Sequence, residues 1–172
     1  TDIIGFKEGL KNKDWNKKEP VFVFGAGGAS EAVLYFLTEE KVKNIFLINR
    51  NRKKAEKLLS KYSNIIISNK IKKEINEAGL IVNTTSLGMV GYPDLDINLK
   101  NVNKKAIVYD IVYNPVNTKL ISNAKKEKIM TISGLDMFLE QARESFKIWF
   151  NIKPDIDKNM LLKIKKKLTE DD

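Results

Sequence analysis

Six short apolar runs punctuate the chain, at Val21–Phe24, Ile45–Ile48, Ile65–Ile67, Leu80–Val82, Ile107–Tyr109 and Ile129–Ile132, each bounded by polar or turn-forming residues. Their length and their β-branched and aromatic content predict buried strands. Between several of them the apolar spacing changes to that of a helix. Glu31–Thr38 places Ala32, Val33, Phe36 and Leu37 on one side, Lys53–Lys61 carries Ala55, Leu58 and Leu59, and Thr118–Lys126 carries Leu120, Ile121 and Ala124. A short helix from Asp2 to about Lys13 leads the chain. Two helices close it: Leu135 to about Phe150, then a second after Pro154, capped by Asp155 and running on Ile156, Met160, Ile164 and Leu168. Strands alternating with helices imply an α/β fold, a doubly wound parallel sheet of six strands with helices on both faces and ligand outside the carboxyl ends of the strands. In the longer closing helix Phe138, Ala142, Phe146 and Trp149 form an apolar stripe expected to be core. Met137, Gln141 and Ser145 fall at i, i+4 and i+8 on an adjoining strip, where an amide could face a cleft. No repeat or linker divides the chain, which reads as one domain over 1–172, with 1–18 as a leading or hinge helix and 135–168 as closing helices.

Chemistry enters at the end of the first strand, where Val21–Phe24 runs into Gly25, Ala26, Gly27, Gly28, Ala29 and Ser30. A buried strand, a glycine turn and a helix start form the dinucleotide-binding arrangement of a Rossmann-like fold, with backbone N–H groups free to approach a pyrophosphate. A side chain at Gly25 or Gly27 would stand where the phosphate must sit. In NAD-binding units an acid roughly 20 residues further on accepts from the ribose 2′-hydroxyl. Here the second strand ends in Asn49, Arg50, Asn51, Arg52, Lys53 and Lys54, with no acid before Glu56. A 2′-phosphate would meet positive charge, and Arg50 could bind it bidentately and stack on adenine. NADP(H) is therefore expected rather than NAD, although a basic helix start exposed to water would read the same. The fourth strand ends in Asn83, Thr84, Thr85, Ser86, Leu87, Gly88 and Met89, which either hydrogen-bond ribose or form a turn. Asp110, Ile111, Val112 and Tyr113 follow the fifth strand at the same edge, and Gly134 starts the helix after the sixth.

Composition narrows the chemistry further. With 172 residues and 42% hydrophobic content the chain can bury a core. No leader or membrane-length apolar run is visible in it, so a cytoplasmic location is expected. It has no cysteine and no histidine, so disulfides, thiolate metal sites and the commonest general base are absent, and no metal site is expected. The net charge of +9 would suit an anionic partner, but the lysines are scattered over expected helix faces and loops, and no nucleic-acid-binding motif accompanies them.

Together these segments resemble the shikimate dehydrogenase family. The resemblance is carried by Thr1-Asp2-Ile3-Ile4-Gly5-Phe6, Gly25 to Ser30, Asn49-Arg50, Asn83 to Met89, Asp110 to Pro115, and Gly134 to Trp149 with its GxxMxxxQA pattern. It implies NADPH-dependent reduction of 3-dehydroshikimate to shikimate, a step of aromatic amino-acid biosynthesis, in a full-length enzyme that is a monomer or homodimer. It also implies that Asp2 hydrogen-bonds substrate hydroxyls beside a catalytic Lys, making Asp2 the catalytic candidate of this chain. Gln141 touches substrate, and Tyr113 lies near substrate and nicotinamide. The implied cofactor-binding set is Gly25, Ala26, Gly27, Gly28, Ala29, Asn49, Arg50, Asn51, Lys54, Thr84, Thr85, Ser86, Gly88, Met89, Ile111, Gly134 and Met137.

The sequence departs from the family in four places. The substrate-binding half with its NVTxPxK-like segment precedes the TDxxG motif in the family and is not in these residues, so a C-terminal piece without the catalytic Lys, inactive by itself, is expected. Ser30 stands at the third fingerprint position, where glycine or alanine is usual, which should loosen helix packing slightly. Asn51 replaces a common Thr, and Lys54 replaces a common second Arg, keeping charge but losing a planar fork. The alternatives are a quinate/shikimate paralogue with relaxed cofactor choice, a dinucleotide-binding module without catalysis, and a basic nucleic-acid-binding domain.

Overall fold

The computed structural model describes residues 1–71 and 73–170. The chain runs α1 (Asp2–Leu10), β1 (Val21–Phe24), α2 (Gly28–Glu39), β2 (Ile45–Ile48), α3 (Arg52–Leu59), β3 (Ile65–Ser68), a short 3-10 helix (Lys73–Glu77), β4 (Leu80–Asn83), β5 (Ile107–Asp110), α4 (Lys119–Lys126), β6 (Met130–Ser133), α5 (Gly134–Phe150) and α6 (Lys158–Glu170). The strands form one parallel sheet in the order β3-β2-β1-β4-β5-β6. Chain order reverses between β1 and β4, and the crevice above their carboxyl ends is where such folds take ligands.

The side-chain period of a strand sorts each apolar run onto two faces. Val21 and Val23 join Val33, Leu34, Leu37, Ala55, Leu58, Phe6 and Met137 in one core, while Phe22 and Phe24 join Phe46, Ile81, Val108, Leu120 and Ile121 in the other. The second face is covered partly by α4 and the 3-10 helix and partly by an irregular segment: no helix connects β4 to β5, and Leu95, Ile97, Leu99 and Val102 cover the sheet there instead. Helix α1 crosses the first face and packs on α5, where a Cβ on Gly5 would lie 2.8 Å from both Gln141 Cγ and the Met137 carbonyl. No described helix is long and apolar enough to cross a membrane.

Five expectations change. The runs at Ile65–Ile67 and Ile129–Ile132 are buried only in part, with Ile66 41% exposed, because β3 and β6 are the edge strands of the sheet. Helix α1 ends at Leu10, and Asn12 takes a positive φ of 60°. Leu59 is exposed, because the buried face of α3 is made by Ala55 and Leu58. The cap of α6 is Asp157, whose carboxylate accepts from the Met160 N–H at 2.7 Å; Asp155 sits 3.5 Å from Arg143 instead. The stripe Phe138, Phe146 and Trp149 is not core: these residues are 41%, 40% and 74% exposed, and Ala142 is exposed too. Contact with α1 and β6 buries the Leu135, Met137 and Leu139 face instead, and the 17-residue α5 outruns the four-residue strands beneath it.

Candidate functional site

The glycine turn leaves β1 with its Gly25 N–H donating to the Ile48 carbonyl at 2.9 Å. Gly25 has φ +109°, and a Cβ there would meet Thr84 Oγ1 at 2.6 Å, so the neighbouring loop, rather than a ligand alone, demands glycine. At Gly27 and Gly28 a Cβ would meet nothing within 4 Å. Both are exposed, Gly27 is the N-cap of α2 without a side-chain cap, and Gly28 opens the helix, so the N–H groups of this first turn look onto open space. The helix dipole adds positive potential there. This cradle, open where side chains would fill it, fits the pyrophosphate of a dinucleotide. Ala26 and Ala29 are half-buried, Ala26 against the core. Ser30 is fully buried, and its hydroxyl donates to the Gly25 carbonyl at 2.8 Å. It fastens the turn to the helix instead of loosening it.

At the end of β2, Asn49 Nδ2 donates to the Asn51 carbonyl at 2.6 Å, and Asn51 caps α3 by accepting from the Lys54 N–H at 3.1 Å. Arg52 is engaged with Glu56 at 2.8 Å. The exposed Arg50 side chain has no hydrogen-bond or ion-pair partner among the described residues. Arg50 follows β2, whose Ile48 carbonyl accepts from the Gly25 N–H, so a cationic residue without a partner among the described residues stands at the strand end next to the glycine turn.

Several of the expected hydroxyl ligands are occupied within the protein. Thr84 Oγ1 donates to the Phe24 carbonyl at 2.6 Å and Thr85 Oγ1 to Asn83 Oδ1 at 2.7 Å. Ser86 and Met89 are exposed, and buried Gly88 holds a φ of +92° beside Thr118. Ile111 is half-buried, and its carbonyl would lie 2.1 Å from a Cβ at Gly134, so α5 starts in direct backbone contact with the loop after β5. Tyr113 is 40% exposed and stacks on Phe138 with ring centroids 4.7 Å apart. Phe138 thus shapes this loop, a contact that no residue spacing along α5 reveals. Met137 is 4% exposed and packs into the core beside Gly5.

Asp2 and Gln141 are far apart in sequence and meet because α1 lies on α5: Gln141 Nε2 donates to Asp2 Oδ1 at 2.9 Å. Asp2 Oδ2 and Gln141 Oε1 remain free of partners among the described residues, which leaves two acceptors for hydroxyl donors.

Sequence reasoning missed a buried polar cluster behind these loops. Asp110 is fully buried, accepting from Asn83 Nδ2 at 2.9 Å, the Val112 N–H at 3.1 Å and the Thr118 hydroxyl at 2.6 Å. Burial pushes its carboxyl above the usual aspartate range, against those three donors. The signal available was a polar residue ending each of two neighbouring apolar strands, at positions the sheet register pairs, Asn83 with Asp110.

The chain is similar to known proteins in sequence and in fold. The shikimate dehydrogenase (NADP(+)) of Roseobacter denitrificans is 39% identical over 162 residues, a match covering 91% of this chain and 58% of that protein. The crystal structure of shikimate dehydrogenase from Aquifex aeolicus superposes with a TM-score of 0.78 at 39% identity, over 90% of this chain and 57% of the other. Shikimate 5-dehydrogenase from Thermus thermophilus, in complex with NADP(H) and shikimate, gives 0.76 at 28% identity over 90% and 57%. The model of the shikimate 5'-dehydrogenase C-terminal domain matches residues 134–158. A model described as shikimate / quinate 5-dehydrogenase matches residues 10–138 of the 172, and the chain belongs to that family.

Proposed function

We propose that this chain is the NADP(H)-holding part of a shikimate dehydrogenase that reduces 3-dehydroshikimate to shikimate. The observation that carries the reading is the open first turn of α2 at Gly27 and Gly28 beside the unpartnered Arg50. The α2 N–H groups would bind the pyrophosphate, and Arg50 with Lys54 the 2′-phosphate. NADP(H), when bound, supplies the hydride chemistry. The residues of this chain orient the reactants. The free acceptors of Asp2 and Gln141 suit adjacent hydroxyls of a cyclic polyol acid, and their mutual hydrogen bond fixes both before substrate arrives. The chain has no histidine, and the resemblance assigns the exchange of the hydroxyl proton to a Lys in an NVTxPxK-like segment. The chain spans under three fifths of the length of the Roseobacter relative.

Calorimetry on the chain tests the cofactor half of this reading. NADP(H) should bind more tightly than NAD(H), and Arg50→Ala should cost about 1–3 kcal/mol of NADP(H) affinity, the range of a charge-assisted contact, and distinctly less of NAD(H) affinity, where only stacking on adenine is lost. Equal affinity for the two dinucleotides in the unaltered chain would sink the assignment of Arg50. The chain alone should show no turnover of shikimate. A second reading, quinate as substrate, rests on the description of the matching family model, which covers both acids. Profiling the full-length protein on the two acids separates them.

A further inference from the structure

Among the described residues, Asp110 carries the one buried carboxylate at the carboxyl edge of the sheet that the reading above leaves without a task. It is 0% exposed and has no cationic partner among them. Burying a carboxylate this way is costly, and an apolar residue at the end of an apolar strand would pack more cheaply. What the cost maintains is visible in where its hydrogen bonds lead. Oδ1 accepts from Asn83 and from the Val112 N–H, and Oδ2 accepts from Thr118. Asn83 passes the constraint into the loop after β4: its Nδ2 also donates to the Leu87 carbonyl at 2.9 Å, and its Oδ1 accepts from the Thr85 N–H at 3.0 Å and the Thr85 hydroxyl at 2.7 Å. Thr85 Oγ1 in turn accepts from the Leu87 N–H at 3.0 Å. Val112 lies in the loop after β5, and Thr118 caps α4 by accepting from the Ile121 N–H at 3.2 Å.

One carboxylate therefore holds three backbone segments in register, and each polar atom in the chain of bonds has a partner, the condition under which a buried network rigidifies its surroundings. The two loops are joined once more at their far end, where the Val90 N–H donates to the Asn114 carbonyl at 3.3 Å. We propose that Asp110 is a positioning residue of the cofactor cleft: it locks the loops 84–89 and 111–115 into a single wall that presents Ser86, Met89 and Tyr113 to dinucleotide and substrate. The proposal rests on the cofactor reading and deepens it, since a wall ordered beforehand spares the binding step the entropy of ordering it.

The test compares the unaltered chain with Asp110→Asn and Asp110→Ala, using NADP(H) affinity by calorimetry and hydrogen exchange of the Leu87 and Val112 amides in the ligand-free chain. An asparagine offers one oxygen to Asn83 and Val112 and an amide donor to Thr118, so Asp110→Asn should keep affinity within about threefold. Asp110→Ala should weaken NADP(H) binding by about tenfold or more and lower protection in both loops together, while β2 and β3 keep theirs. If Asp110→Ala does not fold, Thr118→Val takes its place as the disruptive change and Thr118→Ser as the conservative one. A folded disruptive variant with unchanged affinity, or with protection lost evenly across the sheet, overturns the positioning role alone. An unaltered chain that binds no NADP(H) overturns the cofactor reading beneath it.

Discussion

Ser30 shows how much one side chain can alter the meaning of a motif. Glycine or alanine at this position lets a helix lie close to its strand, and serine there reads as a loosening. In the folded chain it is buried without exposure, and its hydroxyl closes a ring back to the Gly25 carbonyl, the residue whose φ of +109° turns the chain. The bond holds the turn in the shape that leaves the α2 N–H groups facing outward. Ser30→Ala removes one buried neutral hydrogen bond and leaves a carbonyl short of a donor, so unfolding by denaturant should show a loss of about 1 kcal/mol. An alanine variant as stable as the unaltered chain would mean that the hydroxyl has no structural value.

At the scale of elements, the docking of α1 on α5 and β5 decides whether Asp2 and Gln141 meet. Two glycines permit it: Gly5 against Met137 and Gln141, and Gly9, whose Cβ would lie 2.4 Å from the Tyr109 hydroxyl. That hydroxyl is fully buried with no hydrogen-bond partner among the described residues, while its ring stacks on Phe6 at 4.7 Å. Removing an unsatisfied buried hydroxyl should help, so Tyr109→Phe is expected to stabilise the chain by about 1 kcal/mol. Gly9→Ala should destabilise it, and Tyr109→Phe should recover part of that loss; a thermal double-mutant cycle measures the coupling, and strictly additive effects would refute the contact. None of this docking was legible from local periodicity; only the family resemblance brought Asp2 and Gln141 to a common substrate. The six strands, α2, α4 and the glycine turn could be read from the chain because short apolar runs, fully buried in β1, β2, β4 and β5 and partly in β3 and β6, and helices buried on one face leave local patterns. The partners of Gly9 and Gln141 could not, because helix-on-helix docking joins residues distant in sequence and leaves no period. Phe138 illustrates the failure in reverse: a sound helical stripe pointed to core, yet α1 and β6 selected a different face of α5, and Phe138 became the support for Tyr113. The Asp110 cluster lay between these cases, since Asn83 and Asp110 each stood plainly at a strand end, but only the β4–β5 register makes them neighbours.

At the scale of the whole molecule, two carboxylates among the described residues bias stability in opposite directions with pH. Glu144 accepts a hydrogen bond from Lys153, which ties the segment after α5 back onto that helix, and this bond, with the ammonium charge, holds its carboxyl below the ordinary value of 4.5. A depressed folded-state value means that this contribution is present above pH 4.5 and is lost as pH falls through the lower folded value. Asp110 has the reverse sign. Burial raises it above 3.8, so its contribution is complete below that pH and is lost as pH rises through the folded value; at neutral pH its ionised form opposes folding. Acidifying from neutrality should therefore both relieve the desolvation penalty at Asp110 and release Lys153 from Glu144, with opposite effects on stability. The difference in melting temperature between Asp110→Asn and the unaltered chain isolates the first effect from the general repulsion of a chain with net charge +9. That difference should favour the asparagine variant near neutral pH and shrink as pH approaches 3.8, whereas in Glu144→Gln the deficit should be greatest near neutrality and disappear in acid. A pH-independent gap for Asp110→Asn would show that the carboxylate titrates alike in folded and unfolded chains, and that the desolvation argued for its buried position does not act on its charge.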